Sequence, residues 1–415
     1  MSYIKTPTNG MNDYLPEEAK LREYVLRQIK DTYSDFGFML IETPSVEHIE
    51  NLTSKQGGEN EKLIFKILKR GEKLLNANIS EDIDSLVDGG LRYDLTVPLA
   101  RYYSNNIGKL PTPFKALQIG NVWRADRPQK GRYRQFTQCD IDILGDSSIL
   151  SEIELVSSTG SILAKLGFSG AVIRINDRRI LRAMAQKSGF SEEDFDKVFI
   201  ILDKLDKIGL DGVKKEFEKS GYDASNIEGY CAWFEKDAKP KTASEFFGNK
   251  LEGYLEPEII KNIDSVLSSV NIVSGGDFSV IFDPTLVRGM AYYTGTIFEA
   301  SLPGTNLSVG GGGRYDKMIG NFTGNEAPAC GFSIGFERII GLLTENGFVV
   351  PESKEKIAFL VDSSIETNKL CEMFEEVKKL RESGINVMIT SRNKNAKFQK
   401  DVLRKSGYEE FREFF

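Results

Sequence analysis

Apolar residues recur at helical spacing across residues 17–35, where Leu21, Tyr24, Val25, Ile29 and Tyr33 share one stripe. Pro16 suits the first turn of that helix and Gly37 its end. A short apolar strand follows at 38–41 and stops before Pro44. Further strand patterns lie at 62–69, 114–123 and 133–144. The segment RPQKG at 127–131 separates the last two and predicts an antiparallel hairpin with a long tip. Residues 150–167 read as a helix. From 176 to 270 the chain is charge-rich and helical in period, which predicts a helical insertion. Strand signals return at 279–283, 290–300 and 329–334, and an apolar helix starts near Gly335. A small module begins near Pro351, with strand, helix, strand and helix at 356–362, 366–383, 385–390 and 396–406.

The 415 residues predict two to four domains, and 40% hydrophobic with 28% charged residues excludes a disordered chain. No run approaches the roughly 20 apolar residues that span a bilayer. The opening MSYIKTPTNGMNDYLPEE has no apolar signal region, so a cytoplasmic protein without membrane attachment is expected. Cys139, Cys231, Cys330 and Cys371 form no CxxC pair, which argues against a zinc site or a disulfide framework. The net charge of −7 disfavours generalised coating of nucleic acid but is compatible with a local basic footprint. His48 is the single histidine, which nearly excludes Ser-His-Asp hydrolysis and multi-histidine metal sites. Chemistry must rest on arginines, carboxylates, amides and aromatics.

Lys115, Arg124, Arg127, Lys130, Arg132 and Arg134 stand against the single acid Asp126 within 115–134. A charged loop tip is commonly a solvated surface; its functional reading is a phosphate clamp, because guanidinium forks match phosphate oxygens. The strand that follows shifts the balance. Alternation puts Gln138, Asp140 and Asp142 on one face, where three acceptor-bearing groups need water or a polar ligand. Carboxylates beside a phosphate clamp suit a substrate carrying a positive group next to a nucleotide. Four glycines at 310–313 allow close approach of a ligand or another strand, or else form a flexible turn. Arg338 sits in the first turn of a helix, against the helix dipole, and is therefore expected to serve a ligand anion.

Three segments together resemble class II aminoacyl-tRNA synthetases: Ile41-Glu42-Thr43-Pro44, Val122-Trp123-Arg124-Ala125-Asp126 and Gly335-Phe336-Glu337-Arg338 stand where that class has motifs 1, 2 and 3. RADRPQKGRYRQFTQCDIDILG at 124–145, LVRGMAYYTGTIFE at 286–299 and SVGGGGRYD at 308–316 resemble the histidyl-tRNA synthetase family within it. The resemblance implies an α/β (α+β) fold, a mainly antiparallel sheet flanked by helices, carrying the helical insertion and a partial C-terminal α/β anticodon-binding-like module, which against the family's domain is short and stops at Tyr408-Glu409-Glu410-Phe411, close to where another strand should start and a sheet edge would be left unpaired. It divides the chain into 1–175 and 271–345 for the catalytic domain, 176–270 for the insertion and 355–415 for the module.

The same resemblance implies ATP-dependent activation of L-histidine and its transfer to tRNA(His) by a homodimer, with ATP carrying Mg2+ and no metal held by the protein alone. Arg124 would hold the α-phosphate and the histidine carboxylate, Phe136 would stack on adenine and Asp126 would face its edge. Arg338 would grip the γ-phosphate. Arg288 would stabilise charge at the α-phosphate and lie beside the histidine. Asp94, Leu95 and Thr96 would hold the amino group, and Gln138, Asp142, Tyr292 and Tyr293 the imidazole. Ala291 departs from the aspartate common before the paired tyrosines. The rival reading is the catalytically silent regulatory subunit of ATP phosphoribosyltransferase, which resembles the same catalytic domain but has eroded ATP motifs; Arg124, Arg288, Arg338 and GGGRYD are intact here.

Overall fold

The computed structural model describes residues 3–53, 60–75, 83–129, 131–235, 241–287, 292–303, 307–325, 327–351 and 354–415. Contacts divide the chain into two units, Met1–Phe348 and Val349–Phe415. The described strands of the first unit are β1 (Met39–Ile41), β2 (Val46–Glu47), β3 (Lys66–Leu68), β4 (Val87–Leu91), β5 (Phe114–Trp123), β6 (Gln135–Leu144), β7 (Ala171–Asp177), β8 (Phe278–Phe282), β9 (Thr296–Ser301), β10 (Ser308–Arg314) and β11 (Ala329–Ile334). Eight of them form one sheet in the order β1-β5-β6-β11-β10-β9-β7-β8. The outermost pairs, β1–β5 and β7–β8, are parallel, and the five pairs between them are antiparallel. The sheet is mixed and mainly antiparallel, as the resemblance implies. β2, β4 and β3 form a small separate sheet.

The helix Pro16–Asp35 has its proline in the first turn and buries Leu21, Val25, Ile29 and Tyr33. Each such side chain contributes about 1.5–3 kcal/mol of burial. This stripe meets the helices Leu150–Lys165 and Phe336–Glu345. The hairpin expected over 114–144 forms as β5–β6, with Gln118 opposite Asp140 and Gly120 opposite Gln138. β11 lies on the other side of β6 and sets Ser333 against Asp140 and Gly331 against Asp142.

The glycines at 310–313 are strand β10, held between β9 and β11. A Cβ on Gly312 would lie 1.9 Å from the carbonyl oxygen of Gly331. Close approach of strands, rather than turn flexibility, requires the glycine there.

Two strand expectations are shortened. Over 62–69 the chain first makes a 3-10 turn, Asn60–Leu63, and is extended only in β3. Over 290–300 the strand starts at Thr296, with Tyr292 and Tyr293 in the turn before it; Met290 and Ala291 lie outside the described residues. Between β7 and β8 run the helices Arg178–Lys187, Phe195–Leu202, Leu205–Lys219, Ala224–Cys231, Ala243–Phe247 and Pro257–Val273. Phe190, Phe217, Tyr222 and Tyr230 cluster edge-on or tilted within this segment.

The second unit contains β12 (Lys356–Val361), β13 (Asn386–Ser391) and β14 (Glu410–Phe414), in the order β13-β12-β14 and all parallel. Ile357, Phe359, Met373, Val377 and Val387 form its core beneath the helix Thr367–Glu382. β14 corrects the expectation that the module stops short of its next strand: both sides of β12 are paired. The charges of Glu410, Arg412 and Glu413 mask the strand in the sequence. They are also partners, since Glu413 takes Arg392 at 2.7 Å and Lys400 at 2.5 Å.

Candidate active site

Along one face of the β6–β11–β10 region runs a cavity of about 560 Å³. Strand alternation brings Gln138, Asp140 and Asp142 of β6 to its wall, while Cys139, Ile141 and Ile143 are buried on the opposite face. Asp94 and Thr96 arrive from the start of the helix Thr96–Asn106, and Tyr292, Tyr293 and Tyr315 from the segments flanking β9 and β10. Arg124, Asp126, Arg132 and Phe136 enter from the hairpin tip and Arg338 from the first turn of the helix Phe336–Glu345.

Of the side chains singled out from the sequence, Asp94, Thr96, Arg124, Asp126, Phe136, Gln138, Asp142, Tyr292, Tyr293 and Arg338 all line this one cavity. Leu95 does not. It is buried, and its carbonyl accepts the Gln118 amide at 3.0 Å. Arg288 and Lys130 lie outside the described residues. Lys115 leaves the arginine cluster, because its ammonium is held by Glu154 at 2.7 Å and by the carbonyl of Phe36. The exposed His48 has no place in the cavity wall.

Arg124 is held in place before any ligand arrives. Its Nε donates to the Tyr93 carbonyl at 3.1 Å, and its guanidinium lies 4.2 Å from the Tyr93 ring and 5.1 Å from the Phe136 ring. Such stacking leaves outward N–H groups of the fork for an anion. Arg338 donates to the carbonyl of Ser308. Its helix is fixed by the neighbouring Glu337, which takes both Arg22 nitrogens at 2.6 and 2.8 Å and the Thr137 N–H at 3.1 Å. The sequence offers no direct signal for that pair, since Arg22 is 315 positions away.

The acidic part of the cavity is unusual in its burial. Asp94, Asp140 and Asp142 are each less than a tenth exposed. The N–H groups of Thr96 and Val97 both donate to Asp94 at 3.1 Å, and the Tyr315 hydroxyl donates to Asp142 at 2.6 Å. Burial pushes all three carboxyls upward all the same. Asp140 reaches about 7, raised by desolvation and then by Asp94, with the Ser333 hydroxyl opposing. Asp142 is driven up by burial and by the charge of Asp140, against the Tyr315 bond.

A carboxyl with a higher pKa folded than unfolded binds more protons in the folded state between the two values. Folding stability is therefore fully supported at acid pH and lost as pH rises toward the folded value. Thermal denaturation of the ligand-free protein should give a lower Tm at about pH 8 than at about pH 5.5, and Asp140→Asn should flatten that slope. A Tm rising over this interval would contradict the assignment.

The sequence model of the histidyl-tRNA synthetase family matches residues 10–339. The chain is 43% identical to the histidine--tRNA ligase of Leifsonia xyli over 415 aligned residues, covering 98% of this chain and 94% of that one. Its fold superimposes on the crystal structure of histidyl-tRNA synthetase from Nostoc sp. PCC 7120 with a TM-score of 0.81 at 27% identity, covering 98% and 90% of the two chains. It also superimposes on a Bacillus halodurans structure described as an ATP phosphoribosyltransferase regulatory subunit/histidyl-tRNA synthetase, with a TM-score of 0.79 over the whole of both chains. Identity there is 19%, so that likeness shows the fold alone.

Proposed function

Because this chain belongs to the histidyl-tRNA synthetase family, we propose that the cavity described above is where it works as a histidine–tRNA ligase, joining L-histidine to ATP as histidyl-adenylate and then passing it to tRNA(His). The observation that carries the site assignment is the meeting, in one cavity, of a preset arginine fork with three buried carboxylates and an amide. The cations suit a triphosphate and a substrate carboxylate, and the acids suit an ammonium and an imidazole. The regulatory alternative is less supported, since the ligase relative shares 43% identity and the structure with the regulatory name only 19%.

In this reading a histidine carboxylate oxygen attacks the α-phosphorus and pyrophosphate leaves, so no protein nucleophile is required. Arg124 holds the α-phosphate and the attacking carboxylate, Arg338 the γ-phosphate, and Arg288 the charge that develops at the α-phosphate. Phe136 stacks on adenine with Asp126 at its edge. Asp94 and Thr96, with the backbone around Leu95, hold the amino group, and Gln138, Asp142, Tyr292 and Tyr293 enclose the imidazole. Catalysis is then positioning and charge stabilisation. Among the described residues no group of three His, Cys, Asp or Glu side chains is disposed to hold a metal ion. Mg2+ entering with ATP would take most of its ligands from the phosphates and water, with one or two carboxylates at most. A cytoplasmic setting fits these substrates, and no helix among the described residues is long and apolar enough to cross a membrane.

Histidine-dependent ATP–pyrophosphate exchange tests the site directly; no exchange above a histidine-free control would refute it. Asp142→Ala should weaken histidine binding by about 10²-fold while ATP binding stays within threefold, because a pocket built for hydrogen bonds loses most when its acceptor goes. Equal loss of both ligands in titration calorimetry would contradict the pocket assignment. We also propose a homodimer in which the helix Pro16–Asp35 and β1 contribute to a twofold interface. Light scattering at micromolar concentration should return twice the chain mass of 46.5 kDa, and a monomer mass would rule the dimer out.

A further inference from the structure

Arg22 stands outside the cavity wall, but its guanidinium is engaged on both faces and along its edge. Its central carbon lies 3.8 Å from the centre of the Tyr14 ring and 4.8 Å from that of Phe336, itself a wall residue. In its plane, Nη1 and Nη2 donate to the two carboxylate oxygens of Glu337 at 2.6 and 2.8 Å, and Nη2 also reaches Thr137 Oγ1 at 3.3 Å. The Arg22 and Glu337 side chains are 11% and 9% exposed, so water competes little for the pair. Glu337 in turn continues the sheet ladder. β11 pairs with β6 only as far as Ile334, opposite Cys139. Past that point the N–H of Thr137 goes to Glu337 Oε1 at 3.1 Å, so a side chain from the first turn of the helix Phe336–Glu345 takes a backbone donor of β6. Arg22 thereby ties that turn to β6 between Phe136 and Gln138, and Arg338 is the next residue along the turn.

We propose that Arg22 is a positioning residue for the triphosphate: its two-pronged grip on Glu337 fixes the first turn of that helix, and with it the direction in which Arg338 presents its guanidinium. A planar fork meeting both carboxylate oxygens sets an orientation that a single bond does not. Left with the Thr137 N–H alone, Glu337 can rotate and the turn can shift, and small misplacement of a binding group is costly. The adenine end is spared, because β5 holds Val122 opposite Phe136 and Asn121 opposite Thr137 without help from Arg22. The inference rests on the reading that Arg338 grips the γ-phosphate and deepens it, adding what aims that arginine.

The test is titration calorimetry with ATP and Mg2+ and, separately, with AMP, which has no γ-phosphate. Arg22→Met should weaken ATP binding by about tenfold, while AMP binding and the KM for histidine in exchange stay within about twofold of wild type. Arg22→Lys keeps the charge but loses the fork; it should weaken ATP by about threefold and carries the test if Arg22→Met does not fold. Arg338→Ala should by itself lower the preference for ATP over AMP. Adding Arg22→Met to it should then change ATP affinity by less than about twofold, since no guanidinium remains to be aimed. Parallel weakening of ATP, AMP and histidine overturns the proposal, as does unchanged ATP affinity. So does an Arg22→Met effect that persists undiminished beside Arg338→Ala, which would trace it to the uncovered charge of Glu337. Each of these leaves the γ-phosphate reading in place, whereas an Arg338→Ala variant that keeps the wild-type preference for ATP over AMP overturns both.

Discussion

Replacing Arg124 with alanine is expected to lower kcat/KM for histidine-dependent exchange by roughly 10²–10³, equivalent to about 2.7–4 kcal/mol of transition-state stabilisation. The guanidinium is already seated against Tyr93 and Phe136 and tied to the Tyr93 carbonyl, so little reorganisation precedes its use. Arg124→Lys keeps the charge but loses the planar fork, and should recover only part of the activity. Both variants should unfold within about 1 kcal/mol of wild type, because the side chain sits at the cavity wall rather than in the core. Steady-state exchange kinetics beside denaturant unfolding separate the two quantities. Alanine activity within threefold of wild type would remove Arg124 from the reaction.

The second large effect concerns folding. Arg314 and Glu152 are 9% and 4% exposed and form a two-pronged pair at 2.7 Å on both contacts. The remaining donors of Arg314 reach the carbonyls of Asp146 and Ser148, and the Thr296 hydroxyl also donates to Glu152. Arg314→Met would strand the Glu152 charge in the interior, at a cost of about 3–5 kcal/mol in unfolding free energy. Combining it with Glu152→Leu should restore much of the loss, since an apolar pair of similar volume needs no compensation. An Arg314→Met denaturation midpoint indistinguishable from wild type would show that the pair contributes little.

Local periodicity made much of this architecture readable. The apolar stripe at 17–35, the β5–β6 hairpin and the alternation that sends Gln138, Asp140 and Asp142 to one wall all follow from spacing within a single segment. Two strands whose side chains do not alternate in polarity were hidden. β7 is buried or half-buried along its whole length, and β10 is largely glycine, so neither shows a period of two. The glycine run announced close approach but not its object, Gly331 on the next strand. The cation cluster was overcounted for the same reason: spacing cannot show that Lys115 is spent on Glu154. GGGRYD was prominent as a motif, yet its arginine is a buried structural partner of Glu152, 162 positions away. Asp140 was visible as a position on the cavity face; that Ser333 of β11 stands opposite it was not.

The crowding of Asp94, Asp140 and Asp142 bears on how ligand uptake will register as heat. A carboxyl near 7 is about half protonated at neutral pH, and an ammonium brought beside it favours the anion, so occupancy expels a proton to the medium. The apparent enthalpy of histidine binding should then shift with the ionisation enthalpy of the buffer, differing between phosphate and Tris at the same pH. The slope of that dependence counts the protons set free.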